Sequence, residues 1–242
     1  MNEFLAATDS DKSSWWVIGL VALFLSVGGL IFNAGRTRSK EIESVARSRG
    51  IPFRRSASRA DETLPIGCSL EHKGTGHVIS NILEAVRGEE MVLTMFDYEY
   101  THAIESILET ISDQDSTQSY NQTVVRMQSP LLRLPYFDLF PETIFATLGK
   151  MFGGSDINFD ETEEFSRKYI LRGGDERALR ALFTPQLREF LERLGNLTIQ
   201  GADDVLFLYR WTRLTKPKDL PAAIEENKQL FALFLEGQQS AD

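Results

Sequence analysis

Cys68, His72 and His77 fall in one short stretch beside Gly74 and Gly76, and a thiolate with two imidazoles is a ligand set that zinc accepts. A fourth ligand is missing nearby and the spacing fits no standard finger, so the stretch reads as surface histidines around a glycine-rich turn. Asp156, Asn158 and Asp160 begin like a calcium loop, but Glu161 stands where the sharp turn needs glycine, and Arg167 where a bidentate glutamate closes the cage. Lys73-Gly74-Thr75-Gly76 lacks the Gly-Lys-Ser/Thr closure of a phosphate-binding loop, and neither G-x-S-x-G nor H-E-x-x-H occurs. These motifs lead to no expected metal, cofactor or catalytic residue.

Two other clusters carry more weight. Phe96-Asp97-Tyr98-Glu99-Tyr100, read as a strand, places Asp97 and Glu99 on one face and the three aromatics on the other. Phe165-Ser166-Arg167-Lys168-Tyr169 reads as the only basic-aromatic patch in an acidic body, where Arg167 pairs either with Asp97 or with an external anion. Asp97, Tyr98, Arg167 and Tyr169 are therefore the candidate ligand-binding residues. Core aromatics and a structural salt bridge are the competing use of the same side chains.

The elements around these clusters are mostly legible from punctuation. Val78–Leu83 and Met91–Tyr100 are rich in strand formers, and Gly88-Glu89-Glu90 between them predicts a hairpin. Tyr120–Gln128 alternates as a third strand. Pro141 and Glu142 open a helix through Met151, and Arg167–Leu171 reads as a strand. Asp175 caps one helix; Thr184, with Pro185 at the first helical position, caps the next, which Gly195 ends. Leu197–Gln200 and Val205–Trp211 form a strand pair, and a last amphipathic helix starts near Leu220. Residues 64–242 thus make an α+β domain with mostly antiparallel strands and several amphipathic helices.

Ahead of that domain, Trp15–Phe32 is uncharged, with Ser26 its only hydroxyl, and roughly 18 to 20 such residues suffice to cross a bilayer core as a helix. The acidic flank before it and the absence of a cleavage motif argue against a signal peptide. The expectation is a transmembrane helix over residues 15–34, an extracytoplasmic tail over 1–14, and a basic helix and linker over 35–63. Residues 1–14 carry −2 and residues 35–60 carry +6 of the chain's −9, which leaves −13 for residues 61–242. Positive charge stays on the cytoplasmic side, so the domain is expected inside a bacterial inner membrane with the N-terminus out. Gly19, Ala22, Ser26 and Gly29 line one helix face as a packing stripe, which suits a homodimer. Membrane lipid is the partner of the basic segment, and the acidic body is a poor match for nucleic acid.

The ordered series FDYEY (Phe96 to Tyr100), QTVV (Gln122 to Val125), LPYFDLFPE (Leu134 to Glu142), FSRKYILRGGDE (Phe165 to Glu176), LRALFTP (Leu179 to Pro185) and YRWTRLTKPKDLP (Tyr209 to Pro221) resembles a group of bacterial single-pass membrane proteins with no assigned activity. The resemblance spans most of residues 77 to 235 and departs after Tyr100, where this chain is longer and less turn-like. It implies a bacterial membrane context and carries over no catalytic residue. The functional expectation is an interaction or scaffold module with an unknown protein partner and no catalysis of its own. The alternative is a membrane-tethered enzyme or sensor acting on a small anionic or lipid-derived ligand.

Overall fold

The computed structural model describes residues 35–59, 61–65, 67–103, 117–143, 156–159 and 163–239. The chain divides into two compact units, Met1–Ile42 and Glu43–Asp242. Residues 35–48 are helical (α1), and residues 35–42 are the described part of the first unit.

Eight antiparallel strands build the second unit: β1 (Phe53–Ser56), β2 (Thr75–Arg87), β3 (Val92–Ala103), β4 (Thr117–Gln128), β5 (Leu134–Pro141), β6 (Tyr169–Gly173), β7 (Thr198–Asp203) and β8 (Val205–Tyr209). They form one sheet in the order β1-β2-β3-β4-β8-β7-β5-β6. The register explains which side chains share a face. Met95, Val125, Leu208, Ile199, Leu139 and Leu171 are successive cross-strand partners over six strands, and all six are buried. One continuous apolar row results, because alternate residues of a strand point to the same side.

Further helices follow in the second unit: α2 (Glu163–Lys168), α3 (Glu176–Leu182), α4 (Pro185–Leu194) and α5 (Leu220–Gln239). Phe183, after α3, stands edge-on to Phe137 of β5 at 5.1 Å and to Phe234 of α5 at 5.9 Å between ring centres. Gly201, the register partner of Phe137, makes room for this trio: a Cβ there would lie 2.2 Å from the Phe137 ring. The other face of the sheet holds a second core of Cys68, Leu70, Ile82, Phe96, Tyr98, Tyr100, Val124, Phe207 and Tyr209, which the segment around Cys68–Leu70 closes.

The local helix signals hold in the structure. Asp175 accepts the Ala178 amide at 3.0 Å, Thr184 accepts the Leu187 amide at 3.3 Å, and Gly195 follows α4 with φ of +56°. Where longer-range forces decide, the structure departs from the sequence reading. The expected linker holds β1, because Arg54 pairs with Asp61 and with Glu84 of the neighbouring strand and ties the segment to the sheet edge. Residues 167 and 168 close α2, where Lys168 pairs with Glu164 one turn back at 2.6 Å, and strand structure starts only at Tyr169. The helix expected to continue from Pro141 through Met151 lies largely outside the described residues.

The fold-class expectation of an N-terminal membrane-crossing helix ahead of a mixed domain is corrected. The described chain is a sheet-dominated fold of eight antiparallel strands with helices, and no helix among the described residues is long and apolar enough to cross a membrane. The reason is visible in α5: its 20 residues have the length, but Glu225, Glu226, Lys228 and Glu236 make it amphipathic. The description as a single-pass inner-membrane protein is corrected on the same finding. Residues 15–34, with the packing stripe Gly19, Ala22, Ser26 and Gly29, lie outside the described residues.

Candidate functional site

The four residues singled out by sequence do not converge. Asp97 is buried, on the β3 face opposite Tyr98, and accepts Asn81 Nδ2 and Thr123 Oγ1, each at 2.8 Å. Tyr98 is in the second core, where its hydroxyl meets His77 Nδ1 at 2.8 Å and burial raises its pKa well above the ordinary phenol range. Tyr169 starts β6 and donates to the Leu191 carbonyl at 3.0 Å, while its ring stacks on Phe165 at 5.4 Å. Arg167 is exposed on α2 and makes no ion pair among the described residues, so the Asp97–Arg167 pair is not formed. The Cys68 stretch likewise supplies no ligand set: Cys68 is buried in the second core, and burial pushes its thiol from 9.0 up to about 12. No group of three metal-ligating side chains gathers among the described residues.

Lys73, by contrast, is buried beneath Trp211, with Nζ 4.3 Å from the ring centre. Burial lowers its pKa from 10.5 to about 8. Trp211 also neighbours Tyr100 at 6.3 Å and Tyr120 at 5.7 Å, so the segment leaving β8 is pinned on one side by an aromatic cluster.

On the helix side, that same segment borders a cleft of about 470 Å3. Met95, Val125 and Leu208, three members of the apolar row, form its floor together with Leu194 and Leu197 at the end of α4. Arg210, Arg213 and Lys216 line one side, and Asp219, Ala222, Ala223 and Glu226 line the other along the start of α5. Thr123 joins floor to wall. Its amide donates to the Arg213 carbonyl at 3.0 Å, and its hydroxyl accepts the Thr215 amide at 2.9 Å while donating to Asp97. Asp97 therefore works one hydrogen bond behind the cleft wall, as a support for it.

The cleft suits binding. Its volume lies within the roughly 300–1,000 Å3 of small-molecule sites, and the side chains exposed in it are mostly charged, Arg213, Lys216, Asp219 and Glu226, with Leu214 and Ala222 beside them. The sequence did contain a signal for it. Arg210, Arg213, Lys216 and Lys218 fall within a few residues of Tyr209 and Trp211, a longer basic-aromatic run than Phe165–Tyr169.

No family model matches the chain, and no curated protein matches it. Among solved structures, the chain is similar to the crystal structure of the mycobacterial trehalose monomycolate transport factor A, TtfA. The identity is 12%, the match covers 84% of this chain and 94% of that one, and the TM-score is 0.46. A likeness at that distance carries no argument about what this chain binds.

Proposed function

We propose that the unit Glu43–Asp242 is a binding domain and that the cleft between the sheet, residues 210–216 and the start of α5 is its ligand site. The observation that supports this reading is the cleft's construction. Residues 210–216 and the start of α5 stand apart over β3, β4 and β8, and the side chains exposed in the space between them are Arg213, Leu214, Lys216, Asp219, Ala222 and Glu226. The space of about 470 Å3 has the size of small-molecule sites and gathers Arg210, Arg213 and Lys216 opposite Asp219 and Glu226.

The test is a thermal-shift screen of the full chain against small metabolites and amphiphiles, run in parallel on Ala223→Trp, which places an indole in the cleft from its α5 wall. A ligand at a hundred times its dissociation constant stabilises by about 2.7 kcal/mol, which raises Tm by roughly 5 to 10 °C in a chain of this size. Hits are expected with the wild type and not with Ala223→Trp. Hits that shift both proteins equally, or a screen without hits, would overturn the reading.

A further inference from the structure

We infer that the cleft takes a small zwitterion, an amino acid or a short peptide, its carboxylate held by Arg213 and Lys216 and its ammonium by Asp219 and Glu226. This inference rests on the reading of the cleft as a ligand site and adds the charge pattern of the ligand.

What a ligand meets in the cleft is charge. Met95 and Leu208 are each 1% exposed and lie covered beneath it, while Arg213, Lys216, Asp219 and Glu226 are exposed. The signs are sorted by wall, with the cations on the segment leaving β8, Asp219 directly before α5 and Glu226 within it. Elsewhere on the described surface, exposed cations close on nearby acids, as Arg47 does with Glu43, Arg180 with Glu176 and Lys228 with Glu225. In the cleft none of the four makes an ion pair among the described residues, although only two residues separate Lys216 from Asp219.

That pattern selects against a single charge. A simple anion is attracted by one wall and repelled by the other, and a simple cation meets the reverse. An apolar ligand finds only Leu214, 37% exposed, and the methyl of Ala222. A zwitterion gains at both walls, and its two ends fix its direction in the cleft. The Arg213 guanidinium can hold a carboxylate through two parallel N–H donors, and the two acids can share the three donors of an ammonium. Arg210 is partly engaged, with Nη2 donating to the Leu194 carbonyl at 3.2 Å, which leaves the anion to Arg213 and Lys216.

The backbone carrying these charges is fixed, at some strain. Thr212 has φ of +53°, a region a β-branched residue rarely enters, and Arg213 N donates to the Arg210 carbonyl at 3.0 Å. The two Thr123 bonds tie the segment to β4, and Pro217 opens the short turn Pro217–Asp219, in which Asp219 N donates to the Lys216 carbonyl at 2.9 Å. The backbone of both walls is thus set before any ligand arrives, so little of its ordering remains for binding.

Titration calorimetry of the full chain at pH 7 tests the inference with the tripeptide Gly-Leu-Gly, its N-acetyl and C-terminal amide forms, and the same three forms of leucine. A free-ended probe, tripeptide or leucine, is expected to bind and to lose roughly tenfold or more in affinity when either end is capped. R213Q/K216Q should weaken the free-ended probe by a similar factor and make it indifferent to amidation. D219N/E226Q should make it indifferent to acetylation, and the circular dichroism of both variants should match the wild type. Capped probes that bind as tightly as free ones, or capping costs that are the same in all three proteins, overturn the zwitterion and leave the cleft as a site if Ala223→Trp still abolishes binding. Failure of both free-ended probes, while hits from the thermal-shift screen remain sensitive to Ala223→Trp, overturns it in the same way. Affinity that survives Ala223→Trp unchanged removes the cleft itself, and with it the reading on which the inference stands.

Discussion

Asp97 and Thr123 face each other as register partners across β3 and β4, and a 2.8 Å hydrogen bond joins their side chains on the helix side of the sheet. The same carboxylate accepts Asn81 Nδ2 at 2.8 Å, where β2 bulges and Asn81 takes φ of +51°. Asp97 therefore ties an irregularity at one side of β3 to the cleft wall at the other. Asp97→Ala leaves the Asn81 amide and the Thr123 hydroxyl without this acceptor in a buried site, which should cost about 1 to 3 kcal/mol by urea unfolding. A change under about 0.5 kcal/mol would mean that the network is dispensable.

Thr123→Val separates support of the wall from general stability. It keeps shape and strand propensity but removes the oxygen that accepts the Thr215 amide at 2.9 Å. Hydrogen exchange of the Thr215 amide should accelerate by about an order of magnitude, that of the β3 and β8 amides should not, and Thr123→Ser should restore protection. An unchanged Thr215 rate would show that the wall is held by other contacts.

Gly237 lies where α5 crosses the end of α3, and a Cβ there would stand 2.2 Å from the Leu182 carbonyl oxygen. Alanine is the better helix former by about 1 kcal/mol, yet the obstacle is backbone and cannot rotate away. Gly237→Ala should therefore destabilise by about 1 to 3 kcal/mol in urea, against the sign that propensity alone gives. A stabilised variant would place α5 farther from α3 than this packing has it.

What could be read from sequence follows the range of the forces involved. Asp175, Thr184 with Pro185, and Gly195 were legible because a cap is completed within four residues of itself. β1 was not, since Arg54 acquires its meaning from Glu84 on another strand. The sequence showed the cations of the cleft as a basic-aromatic run but not the cleft itself. Met95, Leu208, Arg213 and Ala223 meet only because β8 inserts beside β4 and α5 returns over that face. The alternation that put Asp97 and Tyr98 on opposite faces was correct as local geometry, and for that reason the two could not share one pocket.

Lys73 supplies the pH prediction. Burial lowers its pKa from 10.5 to about 8, so between those values the unfolded chain holds a proton that the folded chain has released. Stability must then rise with pH through that window, and below pH 8 the penalty of burying the ammonium is fully present, roughly 3 kcal/mol before the Trp211 contact offsets part of it. Cys68 works in the opposite sense. Its thiol, raised from 9.0 to about 12, keeps its proton when folded, so above pH 9 the unfolded chain is favoured. The wild-type profile alone mixes the two. Lys73→Met removes the first and keeps the second, so the variant should be the more stable protein at pH 7, by up to about 3 kcal/mol, and its advantage should shrink between pH 8 and 10.5. Urea midpoints of both proteins across that range measure the difference; a constant gap would mean that Lys73 stays charged in the folded chain and that Trp211 and its other neighbours fully compensate its burial.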